Sequence, residues 1–221
     1  MQAAVIFDVD GVLLELTSAE EEIFFDALAA FVPAHELSRD WNSYCIRNDE
    51  DIITEILKRY NRPAALKHKV IERYIADLQS GLADRSLKSP VIPGADKLLQ
   101  FLAPHVTLGI ATANLCQAAA LRLANAGLWQ HVKDHAVGAD GGGHKHHILA
   151  RLLSILSFPR DRIVYVGDNI NDVIAGQENG LRFIGFSTDP QRLRTLADHG
   201  ADMISPSHTT TLDMIRQILG V

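Results

Sequence analysis

Four aspartates in this 221-residue sequence close or follow short apolar runs: Asp8 and Asp10 at the end of 4–9, Asp168 and Asp172 after 163–166. Thr112 and Asn114 end a third run, 107–112. Such runs read as buried strands, and in an open parallel sheet ligands bind beyond the carboxyl ends of the strands. Carboxylates from two distant segments are therefore expected to converge. Clustered carboxylates repel one another and lose hydration unless a positive charge sits among them, and several oxygens around an open octahedral position suit Mg2+. Asp8, Asp10, Asp168 and Asp172 are accordingly the candidate metal residues, with Mg2+ as the cofactor. Lys145, at the start of a predicted helix, adds a fixed positive charge, and Thr112 with the backbone N–H groups of Ala113 and Asn114 can donate to phosphoryl oxygens.

The elements that must position these residues follow from periodicity. Further apolar runs at 135–137, 183–186 and 201–204 read as strands, and helical spacing recurs at 95–102, 115–126, 146–156, 172–179, 191–199 and 212–219. Strand–helix alternation predicts an α/β fold, a doubly wound parallel sheet of Rossmann-like type. Residues 14–88 break the alternation. Ser18 with Glu21 fits a capping box, followed by an apolar stripe at Ile23, Phe24, Ala27, Leu28 and Phe31, and further helices fit 50–60 and 65–83. The expected organisation is an α/β core from 1–13 and 89–221 with an inserted all-α cap domain at 14–88, over the carboxyl edge of the sheet.

Composition excludes several classes. Hydrophobic residues make up 47% and charged residues 22%, ordinary values for a compact chain. The net charge of −6 and the lack of a dense Lys/Arg track argue against nucleic acid as a structural partner. Cys45 and Cys116 form no disulfide framework, and Cys116 is expected on a packed helix. No window approaches the ~18 apolar residues of a membrane span, and 1–7 lacks a basic leader, so a cytoplasmic protein with no membrane association is expected, as a monomer or homodimer.

The ordered motifs resemble those of the haloacid dehalogenase superfamily of phosphohydrolases, in the branch similar to phosphoglycolate phosphatase with a helical cap. The resemblance spans nearly the whole chain: Asp8-Val9-Asp10-Gly11-Val12, then Thr112, then Lys145, then Gly167-Asp168-Asn169-Ile170-Asn171-Asp172. It implies a Mg2+-dependent phosphatase acting on a small phosphorylated metabolite. It also implies that Asp8 attacks phosphorus to form an aspartyl phosphate, and that Asp10 protonates the leaving alkoxide and later deprotonates water. The implied metal set is the Asp8 carboxylate, the Asp10 backbone carbonyl and Asp168, with Asp172 completing or orienting it. Three rivals share parts of this pattern: a haloacid dehalogenase, which needs neither Mg2+ nor Asp10, a sugar phosphomutase, and a slow-turnover phosphoacceptor or phospholigand-binding module.

Each candidate also has a plain structural reading. The aspartates serve commonly as turn and helix-capping acids, Thr112 as a β-branched strand residue and Asn114 as a cap. Lys145 precedes His146 where this branch usually has Lys-Pro, so a solvated helix-start lysine is the alternative. The glycine-rich run 138–143 lacks the G-K-[ST] ending of a P-loop and reads as a flexible loop, and His144, His146 and His147 as solvated histidines. Before the helix at 50–60, Arg47 and Asn48 are candidate substrate contacts beside Gly11, Ala113 and Asn114, with Arg47 suited to a second anionic group. The alternative there is a polar loop between helices.

Overall fold

The computed structural model describes residues 3–33, 35 and 37–221; Met1, Gln2, Ala34 and Glu36, which fall within the expected segments 1–13 and 14–88, lie outside the described residues. Strands β1 (Ala4–Phe7), β2 (Thr107–Ala111), β3 (Ala136–Val137), β4 (Ile163–Gly167), β5 (Arg182–Phe186) and β6 (Met203–Ser205) form one all-parallel sheet in the order β3-β2-β1-β4-β5-β6. Alternation along β1 splits the core. Val5 and Phe7 pack under helices α4 (Ala95–Leu102), α5 (Cys116–Asn125) and α10 (His208–Leu219), whereas Ala4 and Ile6 face α7 (Lys145–Ile155), α8 (Ile170–Glu178) and α9 (Pro190–Asp198). A single turn, α6 (Trp129–Val132), joins the first layer. The doubly wound sheet is thus as expected, and its strand order reverses at β1. Crevices form at such a reversal, outside the strands' carboxyl ends.

Between β1 and α4 the described chain carries no strand. Helices α1 (Ser18–Ala29), α2 (Asp49–Arg59) and α3 (Leu66–Ala83) pack around Phe24, Leu28, Ile53, Val70 and Leu78 in a cluster that also takes in Leu115 and Ala118 at the start of α5. The two connections to this helical insert run side by side: Leu14 bridges antiparallel to Val91, and Glu15 N donates to Pro90 O.

Several local expectations are corrected. The capping box is one residue earlier than expected: Thr17, not Ser18, is the N-cap, and it exchanges hydrogen bonds with Glu20. Both frames satisfy S/T-x-x-E, and the buried salt bridge from Glu20 to Arg122 selects this one. Consequently Phe24, Phe25, Ala27 and Leu28 are the buried apolar side chains of α1, while Ile23 is only half-buried and Phe31 lies past the helix end. Helix α10 begins at His208, four residues before the expected 212, because the Ser207 side chain caps it by accepting from Thr210 N. Cys116 is half-buried at the first position of α5. The run 138–143 is tethered instead of loose: Gly141 N donates to Glu50, Gly143 N to Asp51, and Arg151 donates to the carbonyls of Gly138 and Gly142.

Candidate active site

Asp8 follows β1 as a nearly buried side chain, its backbone N–H bonded to Val166 O and its Oδ1 accepting from Val9 N at 2.7 Å. Lys145 Nζ, also buried, lies 2.7 Å from Asp8 Oδ1 and 3.1 Å from Asp172 Oδ1. The alternative of a solvated lysine is therefore set aside by its burial and by these two ion pairs. Its proton is held firmly: burial acts to release it, and the carboxylates of Asp172 and Asp8 more than reverse that.

Asp8, Asp168 and Asp172 each offer an oxygen within 4.8 Å of the others, and all three are buried. Burial pushes the Asp8 carboxyl well above the usual range; Lys145 opposes the rise, and Asp172 and Asp168 add to it. Asp168 is raised to about 6 by burial and Asp172, in spite of Arg192 Nη2 at 3.2 Å from its Oδ2. Three buried carboxylates thus share one buried lysine and the half-exposed Arg192, so the site is short of positive charge. A hard divalent cation at oxygen ligands fits that deficit. Asp172 has little left to offer it, since Oδ1 takes Lys145 and the Tyr165 hydroxyl (2.5 Å) and Oδ2 takes the N–H groups of Asp168 and Asn169.

Gly11 lets the loop after β1 close over this group. Its φ is +74°, and a Cβ there would lie 2.1 Å from Asp168 Oδ2. Thr112 follows β2, buried, with its N–H on Val137 O and its hydroxyl accepting from Asn114 N at 3.2 Å.

A cavity of about 580 Å³ opens above these side chains. It is lined on the sheet side by Asp8, Asp10, Gly11, Thr112, Ala113, Asn114, Lys145 and Asp168, and on the insert side by Trp41, Ile46, Arg47, Asn48 and Asp49. The structure therefore brings every sequence-predicted site residue except Asp172 to the wall of one cavity, and Asp172 directly behind it. Their surroundings differ. Arg47 is exposed, with Nη1 donating to Asn42 Oδ1, whereas Asn48 is buried, caps α2 by accepting from Asp51 N and donates to Gly143 O. The Asp10 carboxylate lies outside the metal triad and pairs with Arg122 Nη2 at 2.7 Å. His146 Nδ1 sits 3.1 Å from Glu178, and among the described residues no histidine joins a metal-ligating group.

The profile of the Haloacid dehalogenase-like hydrolase family matches residues 5–186. The chain belongs to that family. Solved structures of the same fold include a predicted phosphatase from Clostridium acetobutylicum (21% identity, 98% of this chain and 99% of that chain, TM-score 0.68). CbbY from Rhodobacter sphaeroides, in complex with phosphate, is 20% identical over 94% of this chain and 95% of that chain, with TM-score 0.68. A candidate beta-phosphoglucomutase from Thermotoga maritima is 19% identical over 99% and 100%, with TM-score 0.65. Comparison with curated proteins gives no match. The chain is thus a haloacid dehalogenase-like hydrolase, and phosphatases are among the solved structures that share its fold.

Arg122, Glu20, Tyr165 and Arg192 belong to no motif in the sequence that marks them as part of the site. Arg122 left one trace, a charged residue in the helical stripe of Ala118, Ala119 and Leu123, all buried. Tyr165 reads as one more apolar strand residue until its hydroxyl is seen on Asp172.

Proposed function

We propose that this hydrolase is a Mg2+-dependent phosphatase of small phosphate monoesters that works through an aspartyl phosphate on Asp8. The observation that carries the reading is the Asp8 carboxylate itself, fixed by Lys145 and Val9 N at the floor of a cavity large enough for a metabolite. Asp8 attacks phosphorus as the bond to the leaving oxygen breaks, and Asp10 gives that oxygen a proton. Asp10 then takes a proton from the water that displaces Asp8. Lys145, the Thr112 hydroxyl and the N–H group of Ala113 cradle the phosphoryl oxygens, and the Asn114 N–H, which donates to the Thr112 hydroxyl, orients it.

Asp8, Asp168 and the Asp10 backbone carbonyl would hold Mg2+, with Asp172 orienting the set through its hydrogen bonds to the backbone of Asp168 and Asn169. When bound, the cation neutralises the approach of one anion to another. The segment 14–88 serves as the cap that excludes water over this floor and, through Arg47, meets a second anionic group of the substrate. A panel of phosphate esters assayed for free phosphate with Mg2+ and with EDTA tests the reading. Release that requires the metal is expected. No metal-dependent release from any ester sinks it, and halide release from haloacids would transfer the assignment to a dehalogenase.

A further inference from the structure

Arg122 is only 1% exposed, and a buried guanidinium is tolerated only where its donors are matched. Its Nε donates to Glu20 Oε1 (2.7 Å), Nη1 to Asn114 Oδ1 (3.0 Å), and Nη2 to Glu20 Oε2 (3.2 Å) and Glu15 O (3.3 Å). The same Nη2 pairs with Asp10 Oδ1 at 2.7 Å. Glu20 in turn accepts from Ser89 Oγ at 3.0 Å. Glu15 and Ser89 lie on the two connections to the insert, and Glu20 on its first helix. One cation therefore joins the loops after β1 and β2 to the first connection directly and to the second through Glu20. Burial acts to lower its proton affinity, and Asp10 and Glu20 overcome that, so the group stays charged.

Stability alone does not call for this arrangement, because replacing a buried ion network by apolar side chains is often neutral or stabilising. The site it grips is the informative part. The Asp10 side chain remains 25% exposed and lines the cavity, while its Oδ1, buried and without a hydrogen-bond partner, faces Arg122 Nη2 across an ion pair. We propose that Arg122, itself oriented by Glu20, is a positioning residue that aims the Asp10 carboxyl at the leaving-group oxygen and ties that aim to the seating of the insert. The inference rests on the reading of Asp10 as the proton-exchanging group. In the first step the bond from phosphorus to the leaving oxygen breaks as that to Asp8 forms, and the Asp10 proton passes to the leaving oxygen. A misplaced Asp10 slows departure of a poor leaving group and spares a good one.

The test compares first-turnover rates for the best alkyl ester of the panel and for p-nitrophenyl phosphate, in wild type, Asp10→Asn, Arg122→Lys and Glu20→Gln. Arg122→Lys and Glu20→Gln are expected to slow the alkyl ester by ~10–100-fold and the p-nitrophenolate burst by less than about threefold, through kcat more than KM. Asp10→Asn should show the same discrimination more strongly. If Asp10→Asn discriminates and the other two slow both esters equally, the positioning role is overturned while the proton role of Asp10 stands. If Asp10→Asn does not discriminate, the underlying reading of Asp10 fails. Should Arg122→Lys not fold by circular dichroism, Glu20→Gln decides.

Discussion

Gly11 and Asp168 meet more closely than any side chain would permit, and that contact makes glycine a requirement of the site. Substituting alanine places a methyl group 2.1 Å from Asp168 Oδ2 at a φ of +74°. The left-handed backbone alone costs alanine about 1–3 kcal/mol, and the overlap is relieved by pushing Asp168 aside. Gly11→Ala is therefore expected to weaken Mg2+ binding by roughly 10-fold or more, measured by calorimetric titration. Unchanged affinity in a folded variant would contradict the placement of Asp168. At this scale the sequence spoke through position: Asp8, Thr112 and Asp168 each follow a run of buried residues, and strand ends in a parallel sheet face one crevice. Arg122 and Glu20 stayed silent because their meaning lies in a pair 102 residues apart, and neither type signals burial on its own.

Helix α2 docks the insert on the sheet through its first turn. Asp49 N donates to Ala113 O and Asp49 Oδ2 accepts from Leu115 N, while Asp51 accepts from Gly143 N and Asn48 donates to Gly143 O. Burial lifts the Asp49 carboxyl to about 7, against the lowering effect of the Leu115 N–H, with Asp10 contributing to the rise. A folded-state value above the unfolded one means that the protein gains stability from the neutral acid below about 4 and loses it as pH rises through about 7. Asp49→Asn, which keeps an acceptor for Leu115 and cannot ionise, should gain on wild type by at least about 3 °C in Tm between pH 5 and pH 8. A constant difference in Tm across that range would contradict the buried acid. Helix existence was legible from the stripe Ile52, Ile53, Ile56 and Leu57, whereas the role of the glycine run at 138–143 was not, because its partners belong to a different part of the chain.

The whole molecule joins two packed layers to a helical insert whose cluster reaches onto α5. Binary patterning foretold the parallel sheet and the helix-only segment, since period and element order are properties of the sequence. Closure of the carboxyl edge also depends on the far end of the chain. His208, at the start of α10, is stacked on Phe186 and hydrogen-bonded through Nε2 to Val12 O, in the loop that carries Asp10 and Gly11. Burial lowers it to about 4. Its contribution is therefore complete above the unfolded value near 6.5 and lost as pH falls through about 4, on the order of 3 kcal/mol at most. His208→Gln should be less stable than wild type at pH 7.5 and should lose less on acidification to pH 4.5, as read by thermal denaturation. Parallel losses in the two proteins would contradict a neutral buried imidazole.

Rapid acid quench during turnover of p-nitrophenyl phosphate with Mg2+, followed by peptide mass spectrometry, reads the covalent state of Asp8. One phosphoryl group is expected on Asp8 in the wild type, and neither adduct nor turnover in Asp8→Asn. Near-normal turnover by Asp8→Asn, or a phosphoryl adduct on another residue, would contradict the aspartyl-phosphate mechanism.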